Sequence, residues 1–496
     1  MPNFSFLRKH VLSQWRALSR CERLLVVLCI CTLPLVNPWV RGDGVGYYAY
    51  ARALLIDHDL RFEKDWLAAN ESFRMNRVNT EGRLTAEQYT STGYIDNHFA
   101  IGPAIDWAPF LIPTHTAVLA LNRLGARIPA DGFSRPYRMA MALGTAFYGF
   151  AGLFLSFRLA RSFFEERWAF WSTLGIWFAS SLPVYMYLNP SWSHAHSAFA
   201  GALFLWYWHR TRRTRTMPQW ALLGLIAGLM LDVYYIHAVL LLVVLLESLG
   251  GYRRALQGRE ERGSTLWRLF SANLVFALAL VLAFLPTLIT KKIIYGHPLS
   301  FGYGENWFWG SPALWSVLFS SNHGLFVWTP VVLLAVAGLF CMMKYDREFA
   351  AMLLVTFGAF CYVIASYENW HGIASFGNRF FVSLTPVFVL GLAAAMDAAA
   401  RRLRRERLAA GLVAASVGVL VLWNAGFIFQ WGTHRVPARG PVSWREVAYN
   451  QVAVVPAGFL RTARSYLGAR GSLMQEIERE DVERLKQPAG GSDKKR

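Results

Sequence analysis

The feature that most limits how this chain can fold is a series of long apolar runs separated by short basic clusters. Runs such as 24–36, 271–289 and 411–429 approach or reach the length of about 20 residues that a helix needs to cross a bilayer. Of the 496 residues, 55% are hydrophobic and only 16% are charged, whereas soluble domains carry about 25% charged residues. The sequence therefore predicts an all-α polytopic membrane protein.

The net charge of +19 does not indicate a nucleic-acid-binding protein, because the basic residues sit in short clusters between the apolar runs. Six clusters carry most of this charge: 8–23, 158–167, 209–216, 250–263, 344–348 and 401–407. We place all six in the cytoplasm, since short cytoplasmic loops are enriched in lysine and arginine. Each interval between two clusters must then contain an even number of crossings.

Two apolar stretches cannot each be a simple single crossing under this rule. The stretch 99–121 contains Pro103, Pro109 and Pro113, and prolines inside a helix remove hydrogen bonds that a lipid-facing span needs. We therefore expect interfacial or re-entrant helices there, within one large external loop over 41–136. The stretch 220–247 has arginines on both sides, so we expect a hairpin of two half-length helices that meet around Asp232–His237; one long tilted helix is the alternative.

These placements give about 11 transmembrane helices, with a cytoplasmic N-terminus and an external C-terminus, in a cell (inner or plasma) membrane. The basic N-terminus lacks a small-residue cleavage site before the first span, so we interpret it as a retained first helix. We assign 1–431 to the transmembrane domain and 432–496 to a polar external tail. Within the tail, 474–487 suits a charged surface helix and the last residues are expected to be disordered.

Polar residues concentrate in three segments at the expected outer boundary: 41–98, 189–196 and 366–380. An acid, several imidazoles and an arginine facing one cavity suit a phosphate-bearing lipid, because arginine forks onto phosphate oxygens. Asp43 stands out, since Gly42, Gly44 and Gly46 allow the backbone to approach a ligand closely. The full set of candidate residues is Asp43, Tyr47, Tyr48, Asn97, His98, His194, His196, Glu368, His371, Asn378 and Arg379.

Simpler interpretations exist for several of these residues. On position alone, Arg379 is equally well explained as a snorkelling residue at a helix start, and His194 and His196 as packing or capping groups. The two histidines are two residues apart and so do not share a helical face, which argues against a two-histidine metal site. The five cysteines show no metal-ligand spacing either. No cofactor is predicted with certainty, and a divalent metal has no support from ligand spacing.

Three stretches of the sequence resemble a known family. "GDGVGYYAYARALL" (42–55), directly after the first span, resembles the start of the first external loop of GT-C-fold glycosyltransferases, in the branch of the protein O-mannosyltransferases and lipid A aminoarabinose transferases. That branch has Gly-Asp-Glu at this point, with the aspartate as proposed catalytic base, and later a Lys-Pro-Pro-Leu or His-Pro-Pro-Leu element. Here "DNHFAIGPAIDWAPF" (96–110) occupies the later place, with His98 at the Lys/His position. "SFGNRFFVSLTPVFVLGLAA" (375–394) is similar to the helix start whose arginine faces the lipid phosphate.

The sequence departs from the family pattern at three points. Gly44 replaces the glutamate, no Pro-Pro follows His98 directly, and "NPSWSHAH" (189–196) stands where many members have an acid in the second external loop.

The resemblance implies a GT-C-like bundle and an inverting hexosyl- or pentosyltransferase at the outer face of the membrane. It would move a sugar from a polyprenyl-phosphate-linked donor to a lipid, glycan or protein acceptor, among membrane lipids. Asp43 would be the general base, and Arg379 and His98 would hold the phosphate. Two alternatives remain: a lipid or glycan transporter or flippase, and a lipid-linked glycan ligase or polymerase. Transporters often show internal repeats and midplane sites, whereas this sequence has no repeat and its polar residues collect at one face.

Overall fold

The computed structural model describes residues 13–258, 262–302, 304, 306–403 and 405–486. Over these ranges the chain forms α-helices, short 3-10 and π-helical turns and isolated β-bridges, without a strand. Seven helices in the described part of the chain are long and apolar enough to cross a membrane. The protein is therefore an all-α, multi-pass membrane protein, as predicted from the sequence. The number of eleven crossings is not confirmed.

The helices follow one another in the order of the chain. The first ten are α1 (Arg20–Thr32), α2 (Asp43–Arg52), α3 (Glu63–Ala68), α4 (Glu71–Arg74), α5 (Gly102–Arg123), α6 (Arg135–Arg161), α7 (Glu166–Phe178), α8 (His194–Thr211), α9 (Met217–Val233) and α10 (Leu242–Gln257). The next ten are α11 (Arg262–Tyr295), α12 (Leu314–Phe319), α13 (Leu325–Trp328), α14 (Pro330–Met342), α15 (Arg347–Ser366), α16 (Thr385–Leu403), α17 (Glu406–Gly432), α18 (Trp444–Ala453), α19 (Val455–Gly468) and α20 (Arg470–Lys486). Two 3-10 helices, Tyr235–Leu241 and Arg379–Leu384, precede α10 and α16.

Polar contacts join all six basic clusters on one side of the bundle, which we call the basic side. The contacts that link one cluster to another are Glu22–Arg158 (2.9 Å), Ser162–His209 (3.3 Å), Arg167–Glu406 (3.3 Å), Arg212–Asp346 and Arg254–Glu348 (3.9 Å). Because these contacts form one connected set, an even number of crossings separates successive clusters, as the sequence predicts. Which compartment the basic side faces stays a prediction.

The stretch from 220 to 247 forms the expected hairpin. Gly224 packs against the backbone of Phe276, and the Thr287 hydroxyl donates to Asp232 at 2.5 Å, so α9 runs parallel to α11. On the return, Ser248 donates to Asn273 at 2.9 Å, so α10 runs antiparallel to α11. The helices meet at residue 234, within the predicted break. The alternative of one long tilted helix is wrong.

Where the sequence suggested shorter interfacial or re-entrant helices, the structure has the single 22-residue helix α5. Pro109 and Pro113 lie inside it, and it is among the seven helices with the length and composition of a span. Helical continuity is maintained because α5 packs along α6, a neighbour that supports a helix with missing backbone hydrogen bonds.

The contacts of α5 nevertheless keep it away from the basic side. The Trp107 indole donates to Thr145 at 2.8 Å, and His115 hydrogen-bonds Tyr137 at 2.7 Å, so α5 runs antiparallel to α6. Both partners lie in the first half of α6, whose other end carries Arg158 on the basic side. Residues 41–136 therefore stay on the opposite side of the bundle, which we call the Asp43 side.

A buried ion pair holds the first part of this long loop together. The Arg52 guanidinium, with only 1% of its side chain exposed, donates to both carboxylate oxygens of Asp65 at 2.6 and 2.7 Å and to Asp57 at 2.6 Å. Two carboxylates compensate the buried cation, which would otherwise be costly to remove from water. This pair fixes the C-terminal end of α2, and therefore the position of Asp43 at its other end.

Candidate functional site

A cavity of about 1680 Å³ opens on the Asp43 side of the bundle. Its walls come from the start of α2, the loop 96–99, the loop 189–194, the break between α9 and α10, the segments 299–307 and 363–380, and α20. Non-helical backbone at this depth is tolerated where protein or a wet cavity receives it. The break at 234–239 meets that condition, because most of its residues line the cavity.

Asp43 and Arg379 meet in this cavity. Arg379 Nη1 donates to Asp43 Oδ2 at 2.5 Å, joining residues that are 336 positions apart in the chain. Asp43 is the first residue of α2 and follows Gly42, whose φ of 53° lies in the left-handed region that favours glycine. The Asp43 side chain is 31% exposed and that of Arg379 is 10% exposed. The carboxylate therefore faces the cavity while the guanidinium lies behind it.

Several buried polar atoms around Arg379 have no hydrogen-bond partner among the described residues. They are Arg379 Nε, His194 Nδ1 and Asn378 Oδ1. The guanidinium also lies 4.5 Å from the centre of the Trp192 ring, so one of its faces is covered. Because nearly all buried polar groups in proteins are hydrogen-bonded, such a cluster beside an arginine indicates a place for a polar ligand. The charge of the arginine favours an anion.

The glycines around Asp43 do not act as the sequence suggested. A β-carbon on Gly44 would overlap the Ser191 side chain, and one on Gly46 would overlap Phe99. These two glycines allow α2 to pack closely against the protein, so the expectation that they bring the backbone close to a ligand is wrong. Of these three glycines, only Gly42 lines the cavity.

Two further predicted residues, Tyr47 and His98, line the cavity. Both rings pack against Phe99, at centroid distances of 4.7 and 4.2 Å. The Tyr47 phenol is protonated at physiological pH and can donate a hydrogen bond, and burial raises its pKa further. Asp43, His194 and Arg379 line the same cavity, so five of the eleven candidates are brought together there.

Lys291, near the end of α11, positions the loop that carries His98. Its buried ammonium group donates to the carbonyls of Asn97 and Phe99, at 2.8 and 2.9 Å. Lys291 is not among the candidates that the sequence predicts. The available signal was a lysine at the end of a long apolar run on the side without basic clusters.

The other six candidates lie outside the cavity lining, and three of them stabilise the first loop and its neighbours. Tyr48 and Asn97 each donate to a backbone carbonyl, at 2.7 and 3.0 Å, and so hold α2 in place. His196 hydrogen-bonds Asp106 at 2.9 Å and joins α8 to α5. These three side chains act on the site through the backbone that they hold.

The remaining three belong to the segment before α16. Glu368 accepts from the Asn306 amide at 3.2 Å, and His371 accepts from the backbone of Ile373 at 3.0 Å. Asn378, next to Arg379, donates to a backbone carbonyl at 3.0 Å. Within the residues that the structure describes, no group of three or more histidine, cysteine, aspartate or glutamate side chains is arranged to hold a metal ion.

The C-terminal region contributes a wall that the sequence analysis did not anticipate. Ile477, Asp481 and Leu485 of α20 line the cavity. Asp481 accepts from Arg41 at 2.5 Å and bonds His434 at 3.0 Å, and this contact with Asp481 raises the pKa of His434. The expected charged helix near 474–487 does form, as α20, but it docks beside Asp43. The tail residues predicted to be disordered, 488–496, lie outside the described residues.

Comparison with known proteins gives matches among solved structures. ArnT from Cupriavidus metallidurans bound to undecaprenyl phosphate is 14% identical, with a TM-score of 0.49, and the match covers 95% of this chain and 75% of that chain. The apo oligosaccharyltransferase of Archaeoglobus fulgidus is 13% identical with a TM-score of 0.45, covering 88% of this chain and 54% of that chain. AglB from the same organism, in complex with an inhibitory peptide and a dolichol-phosphate, is 13% identical with a TM-score of 0.42. That match covers 87% of this chain and 54% of that chain. No protein-family model and no curated protein matches the sequence.

Proposed function

We propose that this protein is an inverting membrane glycosyltransferase that uses a polyprenyl-phosphate-linked sugar as donor and a hydroxyl-bearing lipid, glycan or protein as acceptor. The observation that carries the proposal is the Asp43–Arg379 pair in the cavity. It combines a partly exposed carboxylate with a buried arginine whose Nε has no partner in the described part of the chain. One group suits a proton acceptor and the other suits a phosphate.

The phosphate of the donor fits beside Arg379. An arginine that already bonds one carboxylate through Nη1 still offers Nε and further N–H groups on the same planar fork. His194 adds another buried nitrogen, the ring atom Nδ1, which has no partner in the described structure. His194 also lines the cavity. Charge-assisted hydrogen bonds to phosphate from such fixed groups stabilise the negative charge that grows on the leaving phosphate.

Asp43 then serves as general base. The acceptor oxygen forms a bond to the anomeric carbon while the bond from that carbon to the phosphate oxygen breaks. The hydroxyl proton moves to the Asp43 carboxylate, and the polyprenyl phosphate leaves as an anion. Attack from the side opposite the phosphate inverts the anomeric centre. The salt bridge to Arg379 orients the carboxylate for this step.

Aromatic side chains give the cavity surfaces suited to a sugar. Trp192, Tyr234, Trp307 and Tyr367 all line it. Aromatic rings pack against the apolar faces of sugar rings while polar neighbours bond the hydroxyl groups. A ligase or polymerase that moves a whole glycan would use the same pair of Asp43 and Arg379. A transporter would need groups along a path to the basic side, and the cavity-lining residues come from the Asp43 side.

The substitution Asp43→Asn tests the proposal directly. It keeps the shape and most of the hydrogen bonding but removes the basic carboxylate, so turnover should fall by about 10²–10⁴-fold. Donor lipid should still bind, as measured by mass spectrometry of co-purified polyprenyl phosphates. Glu81→Gln, in an exposed turn of the same loop, is the matched control and should keep full turnover. If Asp43 has only a structural role at the start of α2, turnover should change little, and a fully active Asp43→Asn protein would remove the general base from the proposal.

A further inference from the structure

Helix α19 (Val455–Gly468) joins the end of the last long helix to the end of the first. At its beginning, Phe459 packs against Phe429 of α17 with ring centroids 5.9 Å apart. At its other end, the Tyr466 hydroxyl donates to the carbonyl of Leu35, just after α1, at 2.7 Å. Arg470, immediately after the helix, donates to the carbonyl of Pro34 at 2.5 Å.

These attachments fix the orientation of α19. Both α1 and α17 start on the basic side, at Glu22 and Glu406, and end on the Asp43 side. A helix of 14 residues is roughly 21 Å long at 1.5 Å per residue. Because its two ends contact the Asp43-side ends of α1 and α17, α19 lies across the bundle at this boundary and not along these two helices.

One face of α19 is exposed in the described structure and carries two leucines, with Arg464 one helical turn from each of them. Leu460 is 69% exposed and Leu467 is 57% exposed. They are seven residues apart, two helical turns, and therefore lie on the same face. Val452, in the helix that precedes α19, is 80% exposed. Exposed apolar side chains at the level where spans end are placed to enter the interface between head groups and acyl chains.

The charge around this face is of one sign. Between Val447 and Gln475 the sequence contains no aspartate or glutamate, while it contains Arg461, Arg464 and Arg470. Arg461 and Arg464 are exposed on α19 itself. A helix with exposed leucines and arginines, and without acids, attracts acidic lipid head groups electrostatically.

We propose that α19 is an interfacial helix that lies in the membrane surface on the Asp43 side and binds acidic lipid head groups. Its occupant is the lipid surface and not a protein partner, because α19 is attached to α1 and α17, which themselves expose apolar side chains such as Ile30 and Leu422, and the charge on α19 is positive. The proposal goes beyond glycosyl transfer and depends on the geometry of the helices and on the charge of α19. It also gives the cavity wall a membrane anchor, since α20 follows α19 directly at Arg470.

Spin labelling of the full-length protein in liposomes tests the placement. Leu460→Cys and Leu467→Cys are introduced singly into a chain whose five native cysteines are replaced, and each is labelled with a nitroxide. Both labels should collide more with lipid-soluble oxygen than with a water-soluble nickel chelate. Arg479→Cys, on the exposed part of α20, is the control and should show the opposite order. Labels at 460 and 467 that respond to the chelate like the control, or that are shielded from both reagents by another protein chain, would overturn the proposal.

A second measurement tests the choice of lipid. The thermal stability of the protein is compared in phosphatidylcholine and in phosphatidylcholine mixed with phosphatidylglycerol, with inorganic phosphate as a separate addition. The acidic lipid should raise the melting temperature of the unsubstituted protein and of the charge-matched control Arg83→Gln/Arg479→Gln. It should raise the melting temperature of Arg461→Gln/Arg464→Gln much less. Free phosphate should not replace the lipid. Equal stabilisation of the two double variants, or full replacement by free phosphate, contradicts binding of acidic lipids by α19.

Discussion

At the level of single residues, Arg379 holds the site together. It begins a 3-10 helix just before α16, is almost buried, and reaches Asp43 across most of the chain length. A snorkelling arginine would send its charge to the membrane surface, whereas this guanidinium lies against Trp192 inside the cavity. The geometry therefore favours the phosphate-binding interpretation over the snorkelling one.

We predict that Arg379→Ala lowers donor affinity and turnover more than any single substitution at the cavity rim. Loss of charge-assisted hydrogen bonds worth roughly 1.5–3 kcal/mol each corresponds to about a 10–100-fold weaker donor affinity. Arg379→Lys should recover only part of it, since a point charge replaces a planar fork. Donor titration and steady-state kinetics measure both effects, and Arg402→Ala, on the basic side, serves as control. Unchanged donor affinity and turnover in Arg379→Ala would restore the snorkelling interpretation.

His98 offers a milder test of the same anion site. It lines the cavity, and its loop is held by Lys291 through the backbone, so His98→Ala should leave the loop in place. We expect a several-fold weaker donor affinity with little change in thermal stability. A His98→Ala protein with unaltered donor affinity would exclude this histidine from the anion site.

At the level of elements, α20 contributes a wall of the cavity that the sequence does not predict. Besides the bonds of Asp481, the Glu478 carboxylate accepts from the backbone of Ser72 at 2.7 Å and from Asn70 at 2.9 Å, and so ties α20 to α4. The helix is thus fixed to the first loop at two places, at Arg41 and at α4. A segment that looks like a polar tail in the sequence closes part of the site in three dimensions.

We predict that a chain ending after Ala469 keeps its fold and donor binding but loses acceptor affinity, because one wall of the cavity is gone. A chain ending after Lys486 removes only the last ten residues and is the matched control. The Michaelis constants for donor and acceptor, measured separately, distinguish the two expectations. Equal acceptor constants in both shortened proteins would show that α20 is not part of the acceptor site.

The attachment of α20 should also depend on pH through His434. Contacts with Asp481 and then Glu480 raise its pKa in the folded protein above the ordinary value, with the burial of the ring and the charge of Arg484 opposing. A group with a raised pKa stabilises fully below its unfolded pKa of about 6.5, and this stabilisation is lost as the pH rises through the folded pKa. Hydrogen exchange in α20 should therefore quicken above that pKa, beyond its intrinsic pH dependence. Arg41 remains bound to Asp481, so the loosening should be partial. The corrected exchange of His434→Gln should not change with pH; the same pH response in this variant would assign it to another group.

At the level of the whole molecule, the charge pattern and the helix directions agree. Polar contacts join the six basic clusters on one side, while the first loop, the break between α9 and α10, and the C-terminal helices lie on the other. The protein therefore has a basic face and a face that carries the candidate site. This asymmetry suits an enzyme whose substrates reach it from one side of the membrane.

We predict that the basic side is cytoplasmic. A reporter fused after residue 214 or 404 should then report the cytoplasm, and one fused after residue 125 should report the outside, following the positive-inside rule. The two cytoplasmic sites serve as controls for each other. A cytoplasmic reading at residue 125 would contradict the placement of α5 on the Asp43 side.

The sequence by itself determined the class of protein, the common side of the basic clusters and the break in the α9–α10 hairpin. These follow from hydropathy, charge and helix length, which are properties of short segments and need no knowledge of distant contacts. It also singled out Asp43 and Arg379. Only the tertiary structure decided that these two residues touch, since their contact depends on the packing of helices far apart in the chain.

The same reason explains what the sequence did not determine. Gly44 and Gly46 proved to serve packing against Ser191 and Phe99, which no local pattern shows. Six polar candidates lie outside the cavity lining and hydrogen-bond other parts of the protein, and the polar tail became a wall because Asp481 meets Arg41. A side chain's type is written in the sequence, but the groups that it meets are set by how the whole chain packs.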